Sequence, residues 1–161
     1  MIKTVDEKLF NTMCEQARNS ERKRSHYTLH ECLDDSIHRL CIAIEPGSYI
    51  RPHRHFKDNK FELLTILRGR LQVVSFADDS TVVNKVILDA AEGIKAVELS
   101  SDTWHTIVAL ENNSVMLEVK PGPYMTPAAE DFAAWAPAEG EAGSKDFYCR
   151  FLNAEVGKKL T

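Results

Sequence analysis

The sequence predicts a mainly β fold, an antiparallel sandwich or small barrel with an N-terminal α-helix and a short C-terminal extension. Three observations lead there. From His38 onward the stretches "IHRLCIAIEP", "FELLTILRG", "LQVVSFAD", "TVVNKVILD", "IKAVELSS", "WHTIVALEN" and "SVMLEVKPG" are short and rich in β-branched and aliphatic residues, the composition of strands. Pro, Gly, Asp or Asn separates each stretch from the next, and no helical periodicity falls between them. About seven strands joined by turns suit two packed sheets or a closed barrel. Finally, 161 residues with 43% hydrophobic content suffice to bury one core, and no repeat or linker divides them.

The N-terminus has a different texture. Thr4, with Glu7 three residues later, has the form of a capping box, and Val5, Leu9, Phe10, Met13, Cys14 and Ala17 recur at helical spacing. An amphipathic helix of about three turns follows from that pattern. The next segment, "NSERKRSHYTLHE", has no periodicity, and its Arg22, Lys23 and Arg24 read as part of a solvated loop. Residues 1–36 are therefore expected as helix and loop packed on the barrel, 37–124 as the barrel itself, and 125–161 as an extension of the same domain. Within that extension "PAAEDFAAWAP" suits a short helix ended by Pro137, "AEGEAGSKD" an exposed loop, and "FYCRFL" a short edge strand. Trp135 is expected to anchor the segment, and Trp104 to pack in the barrel.

Charge and composition exclude several functions. Twenty Lys and Arg against twenty-four Asp and Glu give a net charge of -4, without the basic footprint a phosphate backbone demands, so no nucleic-acid partner is expected. No apolar run approaches the roughly 18 residues of a membrane span, and "MIKTVDEKLF" carries acids where a signal peptide would be hydrophobic. A cytoplasmic protein without membrane association is the expectation. Cys14, Cys32, Cys41 and Cys149 show no CxxC spacing, which suits reduced core cysteines better than disulfides or a zinc ribbon.

The chemistry concentrates in "GSYIRPHRHFKDNKFELLTILRG". Side chains alternate across a strand, so His53 and His55 share a face, and Arg51 and Tyr49 join it if the strand begins that early. Glu62 lies on the side of Leu64 and Ile66, expected core positions, where a lone carboxylate is costly unless something compensates it. A divalent metal does so: two imidazoles on one strand and a carboxylate on its neighbour supply three ligands and leave positions open. His105 in "SSDTWHTIVAL" shares a face with Ile107 and Ala109 and offers a fourth ligand. Arg51 is either a surface cation or, by parity with His53, a guanidinium at the pocket mouth able to grip a carboxylate or phosphate. Tyr49 either donates a phenolic hydrogen bond there or packs as core. His26 and His30, with the arginines before them, form a second basic constellation, read as a solvated loop or as a cover over the barrel mouth.

These residues carry a resemblance. Gly47, five residues, His53-x-His55, then Glu62, six residues and Gly69 resemble the first signature of the cupin superfamily, and His105 stands at the histidine of the second. Six residues separate His55 from Glu62, more than the three or four of the usual pattern, which suits a hairpin with a longer loop. Ser100, Asp102 and Ala109 stand where the second signature has Pro, Gly and Asn. "YIRPHRH", "FELLTILRG", "TWHTIVAL", "LEVKPGPY" and "WAP" together resemble WbuC-type cupin-fold metalloproteins, small bacterial proteins of some O-antigen clusters. The resemblance implies a cupin jelly roll that binds metal, and a homodimer.

A set of three histidines and one carboxylate suits one divalent ion per chain, Fe, Zn, Mn, Ni or Co. Such an ion polarises a carbonyl, acidifies bound water or holds an enediolate against oxygen. These options correspond to an isomerase or lyase, a hydrolase and a dioxygenase. The preferred expectation is a metal-dependent enzyme on a small anionic substrate, and the resemblance implies that this is sugar-related, in polysaccharide or O-antigen metabolism. The alternatives are an Fe(II) dioxygenase, a non-catalytic metal-dependent sensor or binding module, and a metal-free epimerase with a histidine base.

Overall fold

The computed structural model describes residues 2–56 and 59–161. The elements in chain order are α1 (Glu7–Asn19), β1 (Arg24–Thr28), β2 (Ile37–Ile44), β3 (Glu62–Arg68), β4 (Arg70–Phe76), β5 (Val82–Asp89), β6 (Ala96–Leu99), β7 (Trp104–Ala109), β8 (Ser114–Pro121) and α2 (Ser144–Leu152). All pairings between strands are antiparallel, in a five-stranded sheet ordered β1-β2-β8-β3-β6 and a three-stranded sheet ordered β5-β4-β7.

Alternation along the strands builds a layered molecule. From β2, Ile42 and Ile44 point between the sheets, where they meet Leu64 and Ile66 of β3, Leu71 and Val73 of β4, Ile107 of β7 and Met116 of β8. The other parity of β2, Cys41 and Ala43, joins Val115 of β8 against Phe10, Met13, Cys14 and Ala17 of α1. From β4 and β7, Val74, Phe76, Trp104 and Val108 face the opposite way and pack with Phe151 of α2. Central strands are thus buried on both sides, so they read as apolar runs rather than as polar and apolar alternation. Gly69 makes the turn from β3 to β4 with φ +74, and an added Cβ would lie 2.5 Å from Ser114 Oγ. Only glycine accepts that backbone and that approach.

The apolar stripe of α1 is as expected, but its cap differs. The helix begins after Asp6, whose side chain accepts from Leu9 N at 2.9 Å, and Thr4 lies outside it. The segment expected as a solvated loop contains β1, which pairs with β2 in the register Arg24↔Ile44 to Thr28↔Leu40. An edge strand needs only main-chain partners on one side, so "RSHYT" forms one without apolar alternation. The last region also departs: "FYCRFL" lies in α2, and "PAAEDFAAWAP" forms only a 3-10 turn at Ala129–Asp131. Helical winding places Phe147 and Phe151 four residues apart on one face, against Trp135 and Phe76, which a lone edge strand would not achieve. Trp135 does anchor this segment, its ring 5.2 Å from that of Phe76. All four cysteines are free, but only Cys14 and Cys41 are core residues; Cys32 and Cys149 are exposed. No helix among the described residues is long and apolar enough to cross a membrane.

Candidate metal centre

His53 and His55 do not lie in a regular strand, contrary to expectation. Both belong to the irregular run between β2 and β3, where Pro52 removes one main-chain donor. The extended geometry survives through single pairings. His53 N donates to His105 O at 3.0 Å and His105 N to His53 O at 2.9 Å, while His55 N donates to Ser101 O at 2.8 Å. Period-two alternation is therefore kept, and both rings reach the same side. The longer loop expected between His55 and Glu62 falls in part on residues 57 and 58, which lie outside the described residues.

The other two members come from opposite sheets. Glu62 opens β3 and His105 is the second residue of β7, each 2% exposed. One ligand atom from each of His53, His55, Glu62 and His105 falls within 4.8 Å of every other. His55 Nε2 is 2.9 Å from Glu62 Oε1, and His105 Nε2 is 3.0 Å from Glu62 Oε2. Both nitrogens approach outside the directions of a hydrogen bond, so each is buried without a hydrogen-bond partner among the described residues. On the far side of the rings, Nδ1 of His105 lies 2.9 Å from Thr103 O and Nδ1 of His53 lies 3.1 Å from Arg51 O. Assigning the proton to Nδ1 in each ring satisfies those carbonyls and leaves the Nε2 lone pair facing inward. Lone pairs converging on a carboxylate repel it unless a cation lies among them, and orienting carbonyls behind the rings are what metal-binding imidazoles use. The residues present fit a divalent transition metal.

Among the protein's own groups, the shifts of the His53 and His105 imidazoles run in opposite directions. Burial raises the pKa of Glu62, but contacts with His105 and His55 and the Lys120 ammonium outweigh it and hold the carboxyl well below its ordinary range. His53 is pushed down to about 3, chiefly by burial and further by His105, which keeps its imidazole neutral. Burial opposes charging of His105 too, yet its contact with Glu62 wins and the pKa rises.

Two further charged residues beside the cluster escaped the sequence reading. Lys120 Nζ lies 3.0 Å from Glu62 Oε1 and 2.7 Å from Glu118 Oε1, joining two buried carboxylates. Burial first, and then the charge of Glu62, push Glu118 up, against the Lys120 ammonium. The signal was parity: in "SVMLEVKPG", Glu118 and Lys120 share the face of the core residue Met116, as Glu62 shares that of Leu64.

The ligand set borders a cavity of about 470 Å³ between the sheets. Its wall includes His26 and His30, with Arg24 buried and paired to Glu139. His30 stacks on His38, ring centroids 4.2 Å apart, and its Nδ1 meets the Arg39 main chain. Arg51 also lines the cavity, donating from Nε and Nη2 to Ala133 O. Tyr49 is not brought to it; its hydroxyl donates to Pro137 O at 2.7 Å and its ring packs on Phe151. Trp104 packs in the fold as expected and donates from Nε1 to Asp78 Oδ1.

A family model described as a domain of unknown function, DUF6016, matches residues 5–88, more than half of the chain. The chain belongs to this family. The matched stretch of the DUF6016 chain includes three of the four residues, His53, His55 and Glu62, and ends before His105. No curated protein matches it. Among solved structures, a cupin-2 domain protein of Rhodospirillum rubrum, Rru_A2000, is similar with TM-score 0.51 and 14% identity, over 83% of this chain and 80% of that one. A conserved protein of unknown function from Streptococcus pyogenes, SPY1581, is similar with TM-score 0.51 and 16% identity, over 78% of this chain and 91% of that one. The structure of KdgF from Halomonas sp. matches with TM-score 0.49 and 18% identity, over 63% of this chain and 80% of that one. At these identities the likeness is one of fold, and the fold of this DUF6016 chain is the cupin fold.

Proposed function

We propose that this chain is a cupin metalloenzyme that holds one divalent transition metal through His53, His55, Glu62 and His105 and acts on a small anionic substrate. The observation that carries this reading is the convergence of four ligand atoms within 4.8 Å, two of them buried imidazole nitrogens without a hydrogen-bond partner, at the wall of a cavity large enough for an organic molecule. When bound, the ion supplies Lewis-acid polarisation of a substrate oxygen or acidification of a bound water.

The chain's own residues do the rest. The carbonyls of Arg51 and Thr103 orient the His53 and His105 rings. Lys120 keeps Glu62 ionised and partners Glu118, which places a second carboxyl at the cavity wall. Arg51 stands two residues before His53 on the same cavity, where its guanidinium counters a substrate anion.

The resemblance to WbuC-type proteins extends this reading to a cytoplasmic homodimer working in bacterial O-antigen metabolism. Elemental analysis of protein purified without chelator tests the core of the proposal. About one transition metal per chain, absent from His53→Ala, is the expected result, and equal metal in both proteins overturns the ligand assignment. Saturable ligand binding by the metal-loaded protein without turnover would replace the enzyme by a binding module.

A further inference from the structure

The cavity wall bears on what kind of molecule enters. Beside the metal-ligand layer the larger sheet presents Leu40, Ile42 and Ile44 from β2 and Met116 from β8, with Ile107 of β7 across from them. Leu40 to Ile44 is four residues, about 13 Å of strand. A belt of hydrocarbon of that length lies between the layer of Glu118 and Lys120, which pair with Leu40 and His38, and the Arg24 end, which pairs with Ile44.

Several polar groups on the same wall are engaged within the protein, whereas the side chains of His26 and Thr28 in β1, beside Ile42 and Leu40, make no hydrogen bond among the described residues. Arg24 Nη1 donates to Tyr49 O at 3.0 Å, and its Nη2 to Glu139. Lys120 bonds to Glu62 and Glu118, and His38 Nε2 lies 3.0 Å from Leu33 O. Arg51 uses two of its three nitrogens on Ala133 O, and Nη1 makes no such bond among the described residues. A polyhydroxylated body with a hydroxyl on every carbon would bury several of them against Leu40, Ile42, Ile44 and Met116, with His26, Thr28 and Arg51 Nη1 able to receive only part of the set. An alkyl body would instead gain by leaving water.

We infer that the cavity takes an organic anion with an apolar carbon body, its anionic head at the ligand layer beside Arg51, and discriminates against sugar acids of the same charge. This rests on the metal-dependent reading above. The head binds through the metal and Arg51, while the body lies along Leu40, Ile42 and Ile44.

The test holds the head group constant. Zinc-loaded protein is titrated calorimetrically with 2-hydroxyhexanoate and with gluconate, which share a 2-hydroxycarboxylate head, six carbons and one negative charge and differ only in the remaining hydroxyls. At least tenfold tighter binding of 2-hydroxyhexanoate is expected. Leu40→Asn, on a half-buried position, should narrow that ratio without lowering zinc content, its folding checked by a thermal melt. Equal affinities, tighter binding of gluconate, or no measurable binding of 2-hydroxyhexanoate overturns the inference. Zinc content measured in the same samples separates the two levels: no bound zinc removes the metal reading and this inference with it, whereas full zinc with the opposite selectivity removes the inference alone.

Discussion

His53 and His105 exchange both main-chain hydrogen bonds, 3.0 and 2.9 Å, although only His105 lies in a regular strand. One residue pair therefore sets the register of an otherwise irregular run and brings both rings, 4.4 Å apart between centroids, to the same site. The run is held from its other end by Thr106, whose Oγ1 donates to Ile50 O at 2.6 Å from a fully buried position.

Thr106→Val, close in shape but without the donor, should cost about 1–2 kcal/mol of stability by stranding the Ile50 carbonyl. It should also weaken metal retention, because His53 sits three residues beyond Ile50. Urea unfolding with and without zinc measures both; an unchanged midpoint in both conditions would show that the segment is held by other means.

Glu62→Gln keeps the shape of the side chain and removes the charge. Metal affinity should fall at least tenfold while the barrel remains folded, since a neutral amide is a poor ligand for a divalent ion. Competition against a chromophoric chelator reads the affinity; an unaltered value would make the carboxylate a structural partner of Lys120 only.

Lys120→Met leaves Glu62 and Glu118 buried without their shared cation. The lysine is partly exposed, so the expected cost is roughly 2–3 kcal/mol, less than for a fully buried pair. Adding Glu118→Gln should recover part of it, because the surplus carboxylate is then gone. A double-mutant cycle by chemical denaturation checks the sign of the coupling.

His38 supplies a pH dependence. Burial chiefly, with His30, Lys120 and Lys60 adding to it and the Leu33 carbonyl opposing, holds its pKa below the ordinary value near 6.5. The unfolded chain thus takes the proton first as pH falls. Its contribution to stability is complete above about pH 6.5 and is lost as pH descends toward the folded pKa. Urea melts at pH 7.5 and 5.5 should show the loss, and His38→Phe should reduce the difference; an equal difference in the variant would assign it to other groups.

Phe151→Ala should destabilise by about 3–5 kcal/mol, the usual cost of emptying a large buried aromatic site. Phe151 is fully buried and contacts the rings of Tyr49, Phe76 and Phe147. Chemical denaturation gives the value; a cost under 1 kcal/mol would mean that α2 contributes little to the fold.

The barrel was legible because its strands have apolar composition with turns between them, and the ligand set because charged residues stood at core parity: Glu62 beside Leu64, His105 beside Ile107. The failures have the same physical root. "RSHYT" joins a sheet through its main chain alone, so no side-chain period announces β1. "FYCRFL" has aromatic residues that suit either a strand or a helix, and its partner Phe76 lies far away in sequence. Glu118 and Lys120 carried the parity signal of Glu62, but a charge pair near a strand end also reads as solvated until the neighbouring strands are in place. Tyr49 was ambiguous for a similar reason, since alternation fails once the chain leaves the extended conformation.

Several acceptors for the side chains around the cavity come from outside both sheets. Ala133 receives Arg51, Pro137 receives Tyr49, and Glu139 receives Arg22 and Arg24, all within one short run before α2. The same stretch braces the ligand-bearing segment, with Arg54 N donating to Asp131 O and Ala133 N to Pro52 O, each at 2.9 Å. One piece of chain outside the sheets thus ties the basic arginines of the N-terminal region to the segment that carries His53, so a change in it is felt at the ligands as well as at the wall.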